Sequence, residues 1–121
     1  MSNPAKQKGT SFETAIRKYL NAKGFPKASR TVLKGGEDTG DINGIRNEGQ
    51  ERELAIQCKN QRKLSLSGWL DATVEQASRL GKSMPALVVK RAGKGEKALG
   101  DTYVVMRLDD FVTLLQEGGY S

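Results

Sequence analysis

A chain of 121 residues with 20 lysines and arginines against 14 acids, formal charge +6, is one domain long and can bury a modest core without a disulfide or structural metal. The absence of histidine excludes histidine zinc sites, Ser-His triads and histidine general bases, and the single cysteine, Cys58, excludes an internal disulfide and a thiolate zinc cluster within one chain. No apolar run approaches a membrane span and the N-terminus has no apolar signal core, so a soluble cytoplasmic protein in a reducing compartment is expected, prokaryotic or in a phage-infected host, with no membrane partner.

The predicted elements follow in chain order. Residues 1–9, "MSNPAKQKG", read as a flexible basic lead-in to a single domain covering residues 1–121. Phe12, Ala15, Ile16, Tyr19 and Leu20 then recur at helical spacing and mark a core-facing stripe. Thr10 suits an N-cap, Glu13 sits where a capping-box partner would, and Gly24 with Pro26 ends the helix. "SRTVL" is extended, "KGGEDTG" is turn chemistry, and "DINGI" is a short strand reversed by "RNEGQE" into a longer strand, "RELAIQCK". These three strands read as a meander. "QRKLSLS" is a loop, and a second helix over residues 68–80 puts Leu70, Thr73, Val74, Ala77 and Leu80 on one face. "PALVVK" is a buried type of strand, "RAGKGEKALGD" a glycine- and lysine-rich turn, and "TYVVMRL" the returning strand. "DDFVTLLQEG" closes as a short helix capped by Asp109 or Asp110.

The charge is segmented along this order. Residues 1–34 hold eight basic groups against Glu13 alone, whereas residues 35–58 hold Glu37, Asp38, Asp41, Glu48, Glu51 and Glu53 against Arg46 and Arg52. Residues 59–97 are basic again. An acidic segment between basic ones suits a protein that holds a polyanion and brings metal ions to it; a solvated surface is the plainer reading.

Within "ELAIQCKN" the alternation of a strand places Leu54, Ile56 and Cys58 on one face and Ala55, Gln57 and Lys59 on the other. If the preceding strand pairs with it, Asp41 comes close to Gln57 and Lys59. A carboxylate and an amide oxygen would then face a hard cation with an ammonium beside them. Mg²⁺ takes oxygen ligands and keeps several waters, so it needs few protein groups. Each residue also has a plainer role: a turn position for Asp41, a cap partner for Glu13, solvent-facing strand positions for Gln57 and Lys59.

The segments "GTSFETAIRKYLNAKGF", "GGEDTGDINGI" and "LAIQCKN" together resemble the PD-(D/E)xK nuclease superfamily, in which a helix carries a glutamate, the second strand an aspartate and the third strand an (E/Q)-x-K motif. The short length is similar to archaeal-type and phage Holliday junction resolvases, and the "GDINGI … QCK" wording to restriction endonucleases that cut modified DNA. The resemblance covers residues 9–80. It implies an α/β (α+β) restriction-endonuclease-like core, a mixed sheet of about five strands flanked by helices in the order αβββαββα. It makes Asp41 the central metal ligand, Gln57 the third-strand ligand, Lys59 the catalytic lysine and Glu13 a ligand directly or through water, with the backbone carbonyl of Cys58 completing the site. Gln57 stands where the resolvases usually have Glu, so metal binds more weakly unless Glu13 or Asp38 compensates.

The expected activity is a Mg²⁺- or Mn²⁺-dependent endonuclease of DNA recombination and repair, selective for four-way junctions and working as a homodimer. The alternatives are a restriction- or repair-type nuclease of linear or flap DNA, and a non-catalytic DNA-binding member of the fold. Lys6, Lys8, Arg17, Arg30, Lys34, Arg62 and Lys63 are candidates for phosphate contacts, which position DNA without reading sequence. Trp69, Ala72, Gln76 and Arg79 lie off the core stripe of the second helix, where Gln76 either approaches the phosphate or belongs to an ordinary polar face.

Overall fold

The computed structural model describes residues 4–31 and 40–121, with side chains from residue 7 onward except that of Glu96. Among the described residues, three α-helices flank one mixed sheet of six strands. Helix α1 runs Pro4–Ala22. It starts well before Thr10, which corrects the expected lead-in and N-cap: proline fits the first helical turn, where its missing N–H has no intrahelical partner anyway. Gly9 weakens a helix by about 1 kcal/mol relative to alanine but does not break it. Thr10 and Glu13 are therefore interior helix residues, and Glu13 is no capping partner.

The strands are β1 (Ser29–Arg30), β2 (Ile42–Asn43), β3 (Arg46–Asn47), β4 (Arg52–Lys59), β5 (Ser83–Val89) and β6 (Tyr103–Val105). Their order is β1-β2-β4-β5-β6, with β3 also pairing β4. The segment "RNEGQE" is thus more than a turn: Arg46 and Asn47 pair with Glu53 and Arg52 before a 3-10 turn reverses the chain. This adds one strand to the expected order. The β1–β2, β2–β4 and β5–β6 pairs are antiparallel, and β4 runs parallel to β5 from Glu53↔Ser83 to Lys59↔Val89. A parallel pair needs a crossover, and α2 (Leu66–Arg79) supplies it, starting two residues before the expected Gly68.

Because β4 and β5 are covered on both faces, their burial is continuous rather than alternating. Below the sheet, Phe12 and Ile16 of α1 pack on Ile42, Ile56, Cys58 and Val88. Each such apolar side chain contributes about 1.5–3 kcal/mol when fully buried. Above it, α2 buries Thr73, Gln76 and Ala77 and packs against β4 and β5. Gln76 therefore belongs to the sheet-facing side of α2, not to its polar face. The final helix, α3 (Leu108–Glu117), has no buried residue, and Asp109 and Asp110 sit in its first turn rather than capping it. Carboxylates there still meet the positive end of the helix dipole. Glu117 ties α3 to the sheet through Arg52 and through Asn47 Nδ2, the latter at 2.7 Å.

Candidate active site

The site forms where β2 leaves β4. Ile42 is the last β2 residue paired to β4, opposite Ile56. One step earlier, Asp41 N donates to Ile56 O at 2.7 Å and Asp41 O accepts from Thr31 N at 2.9 Å. The same antiparallel register puts Asp41 opposite Gln57. There the backbone ladder stops, and the Asp41 carboxylate takes over: its Oδ2 accepts the Cys58 N–H at 2.8 Å. Gly40 permits this approach. Its φ is +104°, and a Cβ would lie 3.2 Å from Ile56 O.

In a strand the N–H and C=O of one residue point to the same side, so the Cys58 carbonyl is directed toward the fork along with the N–H that Asp41 holds. Gln57 is only 8 % exposed, and its Oε1 has no hydrogen-bond partner among the described residues. A buried amide oxygen without a donor costs roughly 1–3 kcal/mol, so a donor or a cation beside it would be stabilising. Two residues on and on the same face, Lys59 is half-buried, with Nζ 5.9 Å from the centroid of the Trp69 ring on α2. Trp69 thus lies under the lysine, an arrangement set by how α2 crosses β4.

Glu13 projects from α1 beside Phe12, its side chain 20 % exposed and 3.4 Å from Arg30 NH2. Burial pushes the Cys58 thiol far above its ordinary range, and the negative charges of Asp41 and then Glu13 push it further. Both carboxylates are therefore within electrostatic reach of one β4 residue. The fold brings together Asp41, Gln57, Cys58 and Lys59, with Glu13 approaching from the α1 side. Asp38 and Lys34 lie outside the described residues.

Among the described residues no cluster of three or more acid, thiol or imidazole groups could hold a metal ion. Among the described residues of the fork, the oxygens available are the Asp41 carboxylate, the Gln57 amide and the Cys58 carbonyl. All are hard donors, and the unpartnered Gln57 oxygen is what a cation would satisfy. The set fits a hard divalent ion that keeps most of its own waters, and it does not fit a soft or tightly caged one.

The predicted phosphate contacts separate into groups. Lys8 and Arg62 line one hollow beyond the ends of β4 and β5, and Lys63 is exposed in the same loop as Arg62. Arg17 instead bonds Asn21 Oδ1 at 3.1 Å, and Asn21 in turn holds the carbonyls of Phe25 and Ala28. Arg30 faces Glu13. The Lys6 side chain and all of Lys34 lie outside the described residues. Lys90 and Tyr103, which the sequence does not single out, neighbour Lys8 and Arg62, together with Arg91 and Lys94 of the "RAGKGEK" loop, itself a candidate for phosphate contacts or a mobile turn. Those residues are far apart in the chain, and only the parallel β4–β5 pairing brings them to one end of the sheet.

The family model described as "Phage putative PDDEXK endonuclease" matches residues 4–119 of the chain. No curated protein and no solved structure matches it.

Proposed function

Since this chain belongs to the phage PDDEXK endonuclease family, a group of the PD-(D/E)xK nuclease superfamily, we propose that it is a Mg²⁺-dependent endodeoxyribonuclease selective for branched DNA, with the four-way junction as its substrate and a homodimer as its working form. Nucleases of this superfamily generally use divalent metals, and the nuclease family implies DNA as the substrate.

The observation that carries the reading is the fork itself: Asp41 held by Cys58 N, opposite an unpartnered Gln57 oxygen, with Lys59 two residues on. Asp41, Gln57 Oε1 and the Cys58 carbonyl would hold the cation, which when bound polarises the phosphate and lowers the pKa of water. The hydrogen bond from Cys58 N keeps the Asp41 carboxylate in place without needing the cation to order it. Lys59, supported on the Trp69 ring, offsets negative charge as it builds on the scissile phosphate. Glu13 adds a second carboxylate from the α1 side. Arg30, its ion-pair partner, screens it until DNA phosphate competes for the guanidinium.

Two symmetric cuts call for a two-fold dimer. The edge strand β6 and helix α3 support that reading with an exposed apolar strip, Val104 at 62 %, Leu108 at 75 % and Phe111 at 47 % exposure. A non-catalytic DNA-binding role is favoured by one observation, the neutral amide at Gln57, with no cluster of three acid or thiol groups among the described residues.

The test is cleavage of labelled four-way junction, splayed-arm and linear duplex DNA, with Mg²⁺ and with EDTA, for the wild type and Asp41→Ala. Paired symmetric nicks on the junction alone, lost with EDTA or the variant, are expected. Cutting of all three substrates would replace the resolvase reading with a general nuclease. Tight binding without any cutting would leave the non-catalytic role.

A further inference from the structure

A second feature lies just past the site. Where β4 and β5 end, Lys90 N donates to Lys59 O at 3.0 Å, and the two chains then diverge around a hollow of about 510 Å³. Its walls carry Lys8, Arg62, Lys90, Arg91 and Lys94 together with Tyr103, and no acid among the described residues lines it. The cations come from three places: α1, the loop after β4 and the loop after β5. Asn60 Nδ2 reaches Lys8 O at 3.4 Å and joins the α1 wall to the end of β4.

Five cations around one hollow repel one another, so the arrangement is stable only where an anion or solvent offsets it. Two of them are also fixed in place. The Arg91 guanidinium lies 4.9 Å from the Tyr103 ring centroid and donates to Asp101 O at 3.1 Å. Lys94 Nζ stands 3.8 Å from Asp101 Oδ2. Lys8, Arg62 and Lys90 form no ion pair among the described residues. Tyr103 is 47 % exposed beside the held guanidinium. An aromatic face next to clustered cations is how proteins grip unpaired nucleic acid, through phosphate attraction and base stacking.

The charge of the walls and the size of the hollow suit a short stretch of a polyanion. The volume lies within the range of pockets for small molecules, room for roughly one or two nucleotides. Asn60, the residue that follows Lys59 at the end of β4, lines the hollow, so the same strand end carries the candidate catalytic lysine and one wall of the cleft. We propose that this cleft binds the phosphates and one base of an unpaired DNA strand adjoining the scissile phosphate, so that the enzyme engages DNA where strands separate at a branch. The inference rests on the nuclease reading for its biological setting, but the binding it describes needs no catalysis.

The test therefore uses the full chain carrying Asp41→Asn, without metal, and measures anisotropy of a labelled single-stranded oligonucleotide and of a blunt duplex across a salt series. Arg62→Ala with Lys94→Ala removes two cleft charges at surface positions, and Tyr103→Leu removes the ring. Lys82→Ala, exposed at the opposite end of β5, controls for charge alone. The cleft pair should weaken single-strand binding on the order of tenfold and reduce the salt slope by about 0.7 for each phosphate no longer neutralised, with Lys82→Ala near the wild type. Tyr103→Leu should weaken the single strand more than the duplex. Equal losses in the cleft pair and Lys82→Ala, or unchanged single-strand binding in the cleft pair with circular dichroism confirming its fold, would overturn the proposal. If the wild type cuts no DNA yet the cleft variants still lose single-strand binding, the nuclease reading fails and the cleft stands.

Discussion

The Asp41 carboxylate accepts the Cys58 backbone N–H at 2.8 Å at the point where β2 parts from β4. One side chain thus ends a strand pairing and presents a charge at the fork. Asp41→Asn and Asp41→Ala should separate these roles. Asparagine retains an oxygen that can accept from Cys58, so stability should fall by less than about 1 kcal/mol while cleavage is lost. Alanine leaves the Cys58 N–H without its acceptor and should cost about 1–3 kcal/mol. Denaturant unfolding and cleavage of the same preparations check both, and cleavage by Asp41→Asn at the wild-type rate would remove Asp41 from the chemistry.

Gln57→Glu should act with opposite signs in the absence and presence of metal. Placed in a buried position near Asp41, a new carboxylate should lower the Tm in EDTA, because burial and like charge both disfavour it. With Mg²⁺ the variant should gain more stability than the wild type, following RT ln(1 + [L]/Kd) for the tighter site. Thermal melts across a Mg²⁺ series measure this. A variant that melts unchanged in EDTA and gains nothing from Mg²⁺ would mean that position 57 does not face a cation.

Trp69 is the only tryptophan in the chain, and Lys59 Nζ lies 5.9 Å from its ring centroid, so its emission reports on that ammonium. Lys59→Met keeps the aliphatic stem over the ring and removes the charge. The emission maximum should shift, the fold should be retained, and cleavage should fall about 100-fold or more, the scale of losing one charge-stabilising donor. A variant with altered emission and normal cleavage would make Lys59 a packing residue only.

The bond from Arg52, followed by that from Asn47, holds the Glu117 carboxyl below its ordinary range. A carboxyl with a lowered folded pKa contributes stability above its unfolded value, 4.5 here, and loses it as pH falls through the folded value. Helix α3 buries no residue and Glu117 ties it to β3 and β4, so acid should loosen α3 before the sheet. Amide hydrogen exchange resolved by segment should show α3 protection dropping below pH 4.5. Glu117→Gln should lack that acid step and exchange faster at neutral pH. Uniform protection of α3 across this range would show that other interactions hold it.

How far the sequence could be read differed by element. β4 is legible at both ends because turn residues bound "RELAIQCK", even though its burial is continuous rather than alternating. The start of α1 was misplaced because Thr10 and Glu13 satisfy the spacing of a capping box without being at a helix end. Local patterns name the residues able to cap but not whether an earlier turn already continues the helix. β3 was read as a turn because a two-residue strand has no periodicity to detect. Helical spacing leaves Gln76 either near the phosphate or on a polar face, because an amide counts as polar, whereas α2 turns it onto the sheet and buries it.

By itself the sequence determined the donors available: no imidazole, one thiol, a glycine before Asp41, and an amide and an ammonium two residues apart on one face of a strand. Those depend on residue identity and on the period-two geometry of a strand, which are local. Only the tertiary structure decided that Asp41 meets Cys58 N, that Trp69 lies beneath Lys59, and that Lys8, Arg62, Lys90 and Lys94 share one cleft. Each of these joins residues far apart in the chain through strand register and helix crossing. Packing over the whole sheet sets both, and no short stretch of residues encodes them.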